Sequence, residues 1–402
     1  MSTPHRIGYL VPNFPSQTHA FFWREMNALG EQAGREVPVV STARPPHDAC
    51  KHDFASAARA RTTYLLTPGA LAGGMLGVLR SPAGALRGLR RTGALRGQSL
   101  PTRLVSWLAA MRLARWARAE RIEHLHVHSA ANAAGIAMIA KAIIGLPYSV
   151  VLHGDPEVYG SDHDQKMGAA TCVIPVTNPL AERIGQEGWV DPGRLFVVTM
   201  GIDSRRFSPD DSPKDDPPLI LTVARLNKTK GIHHALEALA RLRNEGLQFR
   251  YLVLGEGPYR ETLAQEVERL GLGDLVSLPG TASQDEVLAA LRRASVFSLT
   301  SFGMGEAAPV SVMEAMAVGL PVVVSRIGGS PDMIDSGTDG LLTEQQDVDS
   351  IAAAYREVLG SAARRAQLGA AARERAARDF DDHVLAGRVL GHIRACAGGS
   401  TR

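Results

Sequence analysis

Apolar, β-branched runs alternate with helical patterns along almost the whole chain, and no other feature restricts its fold so sharply. One series comprises Ile7–Val11, Val37–Ser41, Leu125–His128, Tyr148–His153, Cys172–Val176 and Leu195–Thr199. A second comprises Leu219–Val223, Phe249–Leu254, Val276–Leu278, Val296–Thr300 and Pro321–Val324. Helical spacing lies between them, as in His233–Arg243, Tyr259–Leu270 and Asp285–Arg293. Apolar strands joined by helices require parallel sheets covered on both faces. The alternation breaks once, at FSPDDSPKDDPPL (residues 207–219), whose prolines and aspartates mark a linker. The expected fold class is therefore α/β, with doubly wound domains at 1–206 and 207–378 facing a central cleft, and a terminal helical segment at 379–402. Ligands of such folds collect at the carboxyl ends of the strands.

The most informative short segment is EAAPVSVMEAMAVGLPVVVS, which carries Glu306 and Glu314. Pro309 suits a first helical turn, Gly319 a C-terminal cap, and Pro321 blocks continuation. Glu306 then precedes a helix, and Glu314 lies inside it. The N–H groups at Ala308, Val310 and their neighbours, with the positive dipole end, favour a phosphate. Carboxylates on either side of an anion site suit a molecule with hydroxyls at both ends and phosphate between, which is the layout of a nucleotide sugar. In TVARLNKTKGIHHALEAL, Arg225 and Lys230 follow a strand, where cations would neutralise a departing diphosphate. In YSVVLHGDPEVYG, His153 ends a strand, and Asp155 either contacts an acceptor or caps the turn. VLGEGPYRETL places Gly255 and Gly257 after a strand, but Arg260 occupies the third position of a dinucleotide fingerprint, which weakens a nicotinamide reading.

These segments resemble the retaining glycosyltransferases of family 4, which have the GT-B fold of two Rossmann-like domains. The match lies in Glu306, seven residues, Glu314 and AMAVGLPVV, and in Arg225, four residues, Lys230 and glycine. The family normally has glycine and a large residue after the first glutamate, where this chain has Ala307 and Ala308. The resemblance implies that Glu306 holds donor-sugar hydroxyls, that Glu314 binds the ribose, and that His153 acts near the reacting carbon. It places Gly255 and Gly257 in the nucleotide domain, Leu278 at the base, and Ala308, Pro309 and Val310 at the diphosphate. It also implies that the terminal helix crosses back to the N-terminal domain. Pro15-Ser16-Gln17-Thr18 resembles the first loop of polysaccharide-assembly members, which makes Ser16 and Thr18 acceptor candidates beside Asp155.

Residues 54–119 contain eleven arginines and no acidic residue, so a chain total of +3 leaves −8 for the remainder. Within this block SWLAAMRLARWARA reads as an amphipathic helix with Trp107 and Trp116 on it, a pattern that suits an anionic membrane surface. No nucleic-acid recognition motif accompanies the charge. Cys50, Cys172 and Cys396 are far apart, which argues against a disulfide framework or a zinc site and fits a reducing cytosol. The N-terminus lacks the apolar core of a signal peptide, and no stretch is long and apolar enough to span a bilayer. His124, His126 and His128 alternate along one strand and share a face. The nearest carboxylate in sequence, Glu123, points the other way, so no metal is expected there. Asp162-His163-Asp164 reads as a solvated loop.

The expectation is a metal-independent enzyme without a cofactor, cytoplasmic or peripheral at the membrane. It would move a sugar from a UDP- or GDP-linked donor to a glycan or lipid-linked saccharide, with retention. The alternatives are a non-catalytic nucleotide-sugar-binding protein and an epimerase of the same fold.

Overall fold

The computed structural model describes residues 6–17, 19–303 and 306–399, so Thr18 lies outside the described residues. The chain forms two compact units, Met1–Thr199 with Leu385–Arg402, and Met200–Val384. The first holds β1 (Ile7–Asn13), β2 (Val39–Ala43), β3 (Thr62–Tyr64), β4 (His124–His128), β5 (Tyr148–Leu152) and β6 (Cys172–Pro175) in the order β3-β2-β1-β4-β5-β6. The second holds β7 (Leu219–Val223), β8 (Arg250–Leu254), β9 (Val276–Gly280), β10 (Val296–Leu299), β11 (Val322–Ser325) and β12 (Leu341–Thr343) in the order β12-β11-β10-β7-β8-β9. Every pairing is parallel. Central residues such as Val127, Val150, Val253 and Val323 are fully buried, as sheets with helices on both faces require. The strand order reverses between β1 and β4, and between β7 and β10. Loops diverge at such points and leave a crevice at the carboxyl ends.

Two sequence expectations change. Leu195–Thr199 forms no strand; it meets β6 at one bridge, Val173 with Leu195. Phe196 and Val198 donate their N–H groups to Val173 and Pro175 at 3.0 and 3.2 Å, but Pro175 has no N–H to return. β3 and β12 went unread because three residues are too short to display a period.

The arginine-rich block forms the helices Pro68–Arg80, Pro82–Thr92 and Leu100–Ala119. Its tryptophans do not face outward as the sequence suggested. Trp116 is buried against Gly8, and half-buried Trp107 donates its indole N–H to Ala85 O at 2.9 Å. Alanines 109, 110, 114 and 117 are buried on the same helix, so this face belongs to the core. The surface carries other apolar side chains: of eleven exposed large hydrophobics among the described residues, Met75, Leu76, Leu79, Leu86, Leu89, Leu100, Leu104 and Val105 lie here. The terminal helix runs Asp382–Gly399, and its His392 stacks on Phe196 at 4.2 Å within the first unit.

Candidate active site

In the second unit the site is built at the carboxyl ends of β7 and β10. Beyond β7, a short turn at Lys228–Lys230 leads to Gly231, at φ +64°. A Cβ on Gly231 would stand 1.9 Å from Thr300 O, so only glycine lets this loop reach the end of β10. Thr300 Oγ1 then donates to Gly231 O at 2.9 Å, and Phe302 N–H to Thr229 O at 2.8 Å. The contact delivers Lys230 Nζ to Glu306 Oε2, and Ser301 Oγ donates to the same oxygen at 2.7 Å. The two charged side chains are only 15% and 11% exposed. The Glu306 loop is fixed from its other side by Gly328, whose φ of +53° and missing Cβ admit Glu306 O. Gly329 N–H completes the contact by donating to Ala307 O at 2.7 Å.

Ala308 is buried, and Pro309 leads into the helix Val310–Ala317, whose N-terminus has no side-chain cap. One turn in, Glu314 is 9% exposed. Arg225, on the loop after β7, is exposed and makes no side-chain hydrogen bond or ion pair among the described residues. Lys230, expected at the diphosphate, and Glu306, expected at the donor sugar, are thus brought together. Arg225 stands nearby in sequence on the same loop, and Glu314 lies within the helix that follows. A cation, a carboxylate, a hydroxyl and a helix N-terminus at a strand switch point can hold a phosphorylated polyol. His233 adds no charge there near neutral pH. Burial, then His234, lowers its pKa to about 4.

Gly255 and Gly257 have a prior structural task. Gly255 lies at φ +148°, and its Cβ would fall 1.8 Å from Ala224 O; that of Gly257 would fall 2.2 Å from Leu226 O. They let the loop after β8 lie against the backbone that carries Arg225. Leu226 N–H donates to Glu256 O at 2.9 Å across this contact. Leu278 is half-buried against the core, and its carbonyl accepts from Arg260 Nη2 at 2.6 Å. That bond gives the residue in the third fingerprint position a structural use.

In the first unit His153 follows β5. Its Nε2 lies 2.8 Å from His128 Nδ1, and the rings stack 5.1 Å apart. Phe21 and Phe22 pack on it at 4.9 and 5.7 Å. Burial, then His19 and His126, lowers its pKa to about 3. Asp155 pairs with Arg183 at 3.4 Å, and half-buried Ser16 accepts the His19 N–H through its carbonyl at 3.1 Å. The three strand histidines do share a face, but the carboxylate that meets them is not Glu123. Glu25, on the helix Ala20–Ala33, brings a carboxylate 3.1 Å from His126 Nε2. The ligand atoms of Glu25, His126 and His128 lie within 4.8 Å of one another. Nothing in the sequence linked Glu25 to residues a hundred positions later. The segment 162–164 is also no solvated loop: His163 is buried, and Asp162 accepts the Gly97 N–H at 3.0 Å.

Comparison with known proteins bears on the family and the fold. Residues 32–206 match Glycosyltransferase Family 4, and residues 203–375 match Glycosyl transferases group 1. WcaL of Escherichia coli (strain K12), named for a glycosyltransferase role in colanic acid biosynthesis, is 34% identical over 235 residues, covering 56% of this chain and 57% of WcaL. The amylovoran biosynthesis glycosyltransferase AmsK of Erwinia amylovora is 34% identical over 196 residues, 48% of either chain. The chain thus spans about half the length of these curated relatives. The fold matches the crystal structure of a glycosyltransferase from Rickettsia africae ESF-5 with a TM-score of 0.75 at 14% identity, covering 98% of this chain and 99% of that one. It matches Anabaena HepE in complex with UDP-glucose with a TM-score of 0.72 at 16% identity, covering 97% and 99%. Among the described residues, no helix is long and apolar enough to cross a membrane.

Proposed function

The chain belongs to the family 4 glycosyltransferases of GT-B fold, and from that premise we propose that it transfers a sugar from a nucleoside diphosphate sugar to a glycan hydroxyl, with retention and without a metal. The observation that carries this reading is the cluster of Lys230, Glu306 and Ser301 just before the uncapped N-terminus of the helix that contains Glu314. Lys230, Arg225 and the helix end at Ala308–Val310 hold the diphosphate. Glu306 takes sugar hydroxyls, and Glu314 the ribose. The base lies toward Leu278, with Gly255 and Gly257 shaping the loop beneath Arg225. His153, which the family resemblance places near the reacting carbon, supports the positive charge that develops there or orients the donor sugar and the acceptor hydroxyl. As the anomeric carbon–phosphate bond breaks, the acceptor oxygen bonds to the same face and its proton passes to the departing diphosphate. Two cations at that oxygen remove the need for a metal.

The acceptor is a saccharide in cell-surface polysaccharide assembly, carried on a lipid. Two observations support this: the relatives named for colanic acid and amylovoran biosynthesis, and the exposed leucines set among arginines at 68–105. Apolar side chains flanked by cations suit an anionic bilayer surface. Ser16, Thr18 and Asp155 are the acceptor-side candidates.

A panel of nucleoside diphosphate sugars, assayed with and without glycan acceptors, tests the reading. Acceptor-dependent release of diphosphate supports transfer. Conversion of the donor without acceptor would favour an epimerase, and binding without turnover a sensor.

A further inference from the structure

His153 rests on a file of buried groups that the proposed chemistry leaves unused. Its Nε2 is 2.8 Å from His128 Nδ1. His128 Nε2 stands 3.5 Å from Glu25 Oε2, and Tyr9 Oη donates to that same oxygen at 3.0 Å. The other carboxylate oxygen is 3.1 Å from His126 Nε2. Tyr9, His126 and His128 are fully buried.

These distances, with the carboxylate of Glu25 at one end, favour one placement of the protons. A carboxylate only accepts, so Tyr9 and His126 donate to Glu25. At 3.5 Å, His128 Nε2 is beyond hydrogen-bond length, yet a lone pair facing a carboxylate oxygen would be repelled and an N–H attracted. His128 therefore carries its proton on Nε2, and its Nδ1 is the acceptor. His153 must then donate from Nε2 to His128, which leaves His153 Nδ1 bare. The same rule runs along the neighbouring branch. His126 Nδ1 accepts from Ser149 Oγ at 2.8 Å, and that oxygen accepts from His124 Nε2 at 3.0 Å. One assignment is consistent with both branches. It leaves lone pairs on His153 Nδ1 and His124 Nδ1, and these buried atoms, like His128 Nε2, have no hydrogen-bond partner among the described residues.

We propose that Glu25, acting through His128, locks His153 in the tautomer whose Nδ1 accepts a hydrogen bond from a sugar hydroxyl. Glu25 and His128 are positioning residues, and the proposal rests on the reading of His153 given above. The device resembles in logic a carboxylate that orients a histidine for catalysis, extended by one imidazole. A carbohydrate hydroxyl supplies the O–H that a bare, buried ring nitrogen lacks.

The test is nitrogen-15 NMR of the full chain labelled at histidine, with His153 assigned by its substitution. The expected wild-type spectrum shows His153 protonated at Nε2 and unprotonated at Nδ1. Glu25→Gln, which removes the charge and retains the shape, mixes or reverses the tautomers. It also lowers kcat by roughly 10- to 100-fold with the donor KM unchanged. A wild-type His153 protonated at Nδ1 overturns the proposal, as does a tautomer that Glu25→Gln leaves in place. A stoichiometric metal on Glu25, His126 and His128 overturns it too, because His128 Nε2 would then supply a lone pair and the protons of His128 and His153 would sit on Nδ1. Should Glu25→Gln fail to fold, the wild-type spectrum alone decides. His153→Ala separates the two layers: undiminished transfer removes the catalytic reading of His153, whereas a wrong tautomer beside an inactive His153→Ala removes only the relay.

Discussion

At the residue scale, the site depends on a shielded ion pair. Lys230 and Glu306 are each less than one-sixth exposed, so neither charge is well solvated alone. Lys230→Met leaves the Glu306 carboxylate with Ser301 as its nearby donor. Losing one partner of a largely buried pair costs roughly 3 kcal/mol. A fall in thermal midpoint should therefore accompany a loss of transfer of about 10²–10³-fold in kcat. Unchanged turnover in a folded Lys230→Met variant would remove the residue from the leaving-group site. A second prediction concerns acid. His124 and His153 titrate near 3 in the folded chain against 6.5 ordinarily, chiefly because they are buried. Below the ordinary value the unfolded chain binds protons that the folded one refuses, so stability is full above about pH 6.5 and declines toward pH 3. All four tryptophans, Trp23, Trp107, Trp116 and Trp189, precede residue 200, so their fluorescence follows the first unit alone. That signal should show unfolding as acid is added, with a midpoint shifted downward in His124→Gln. Lys230, Glu306 and His153 were legible because strand ends announce themselves in sequence. Glu25 was not, because a helix residue is brought to β4 only by tertiary packing.

At the element scale, glycines decide how close the loops come. Gly255→Ala would force a Cβ into Ala224 O at a φ that L residues rarely adopt. The loop carrying Arg225 would shift, lowering the thermal midpoint and weakening nucleoside diphosphate binding together; loss of neither would show that the loop tolerates a side chain. The sequence displayed these glycines, but it suggested contact with ligand, since a close backbone approach and a phosphate cradle leave the same mark. Helices mislead in a related way. Trp107 and Trp116 looked like interfacial anchors, yet periodicity alone cannot say which face of the helix Leu100–Ala119 meets the core. The exposed leucines make the sharper prediction. Vesicles containing anionic lipid should bind the chain in a salt-sensitive manner, and Leu79→Ser with Leu100→Ser should reduce that binding. Equal binding to neutral vesicles would contradict it.

At the scale of the whole molecule, the two parallel sheets were readable because strands buried on both faces need continuous apolar runs. The two short edge strands were not, because their stability comes from the sheet they join. The central claim is that the second unit, at the end of β7 and β10, binds a nucleoside diphosphate. Calorimetric titration of UDP and GDP into the full chain, beside the same titration into Glu314→Ala, tests this most directly. At least one nucleotide should bind the wild-type chain, with an affinity that falls by about tenfold or more when the buried carboxylate is removed, equivalent to roughly 1.4 kcal/mol. Absence of binding by either nucleotide, or an affinity indifferent to Glu314, would contradict it.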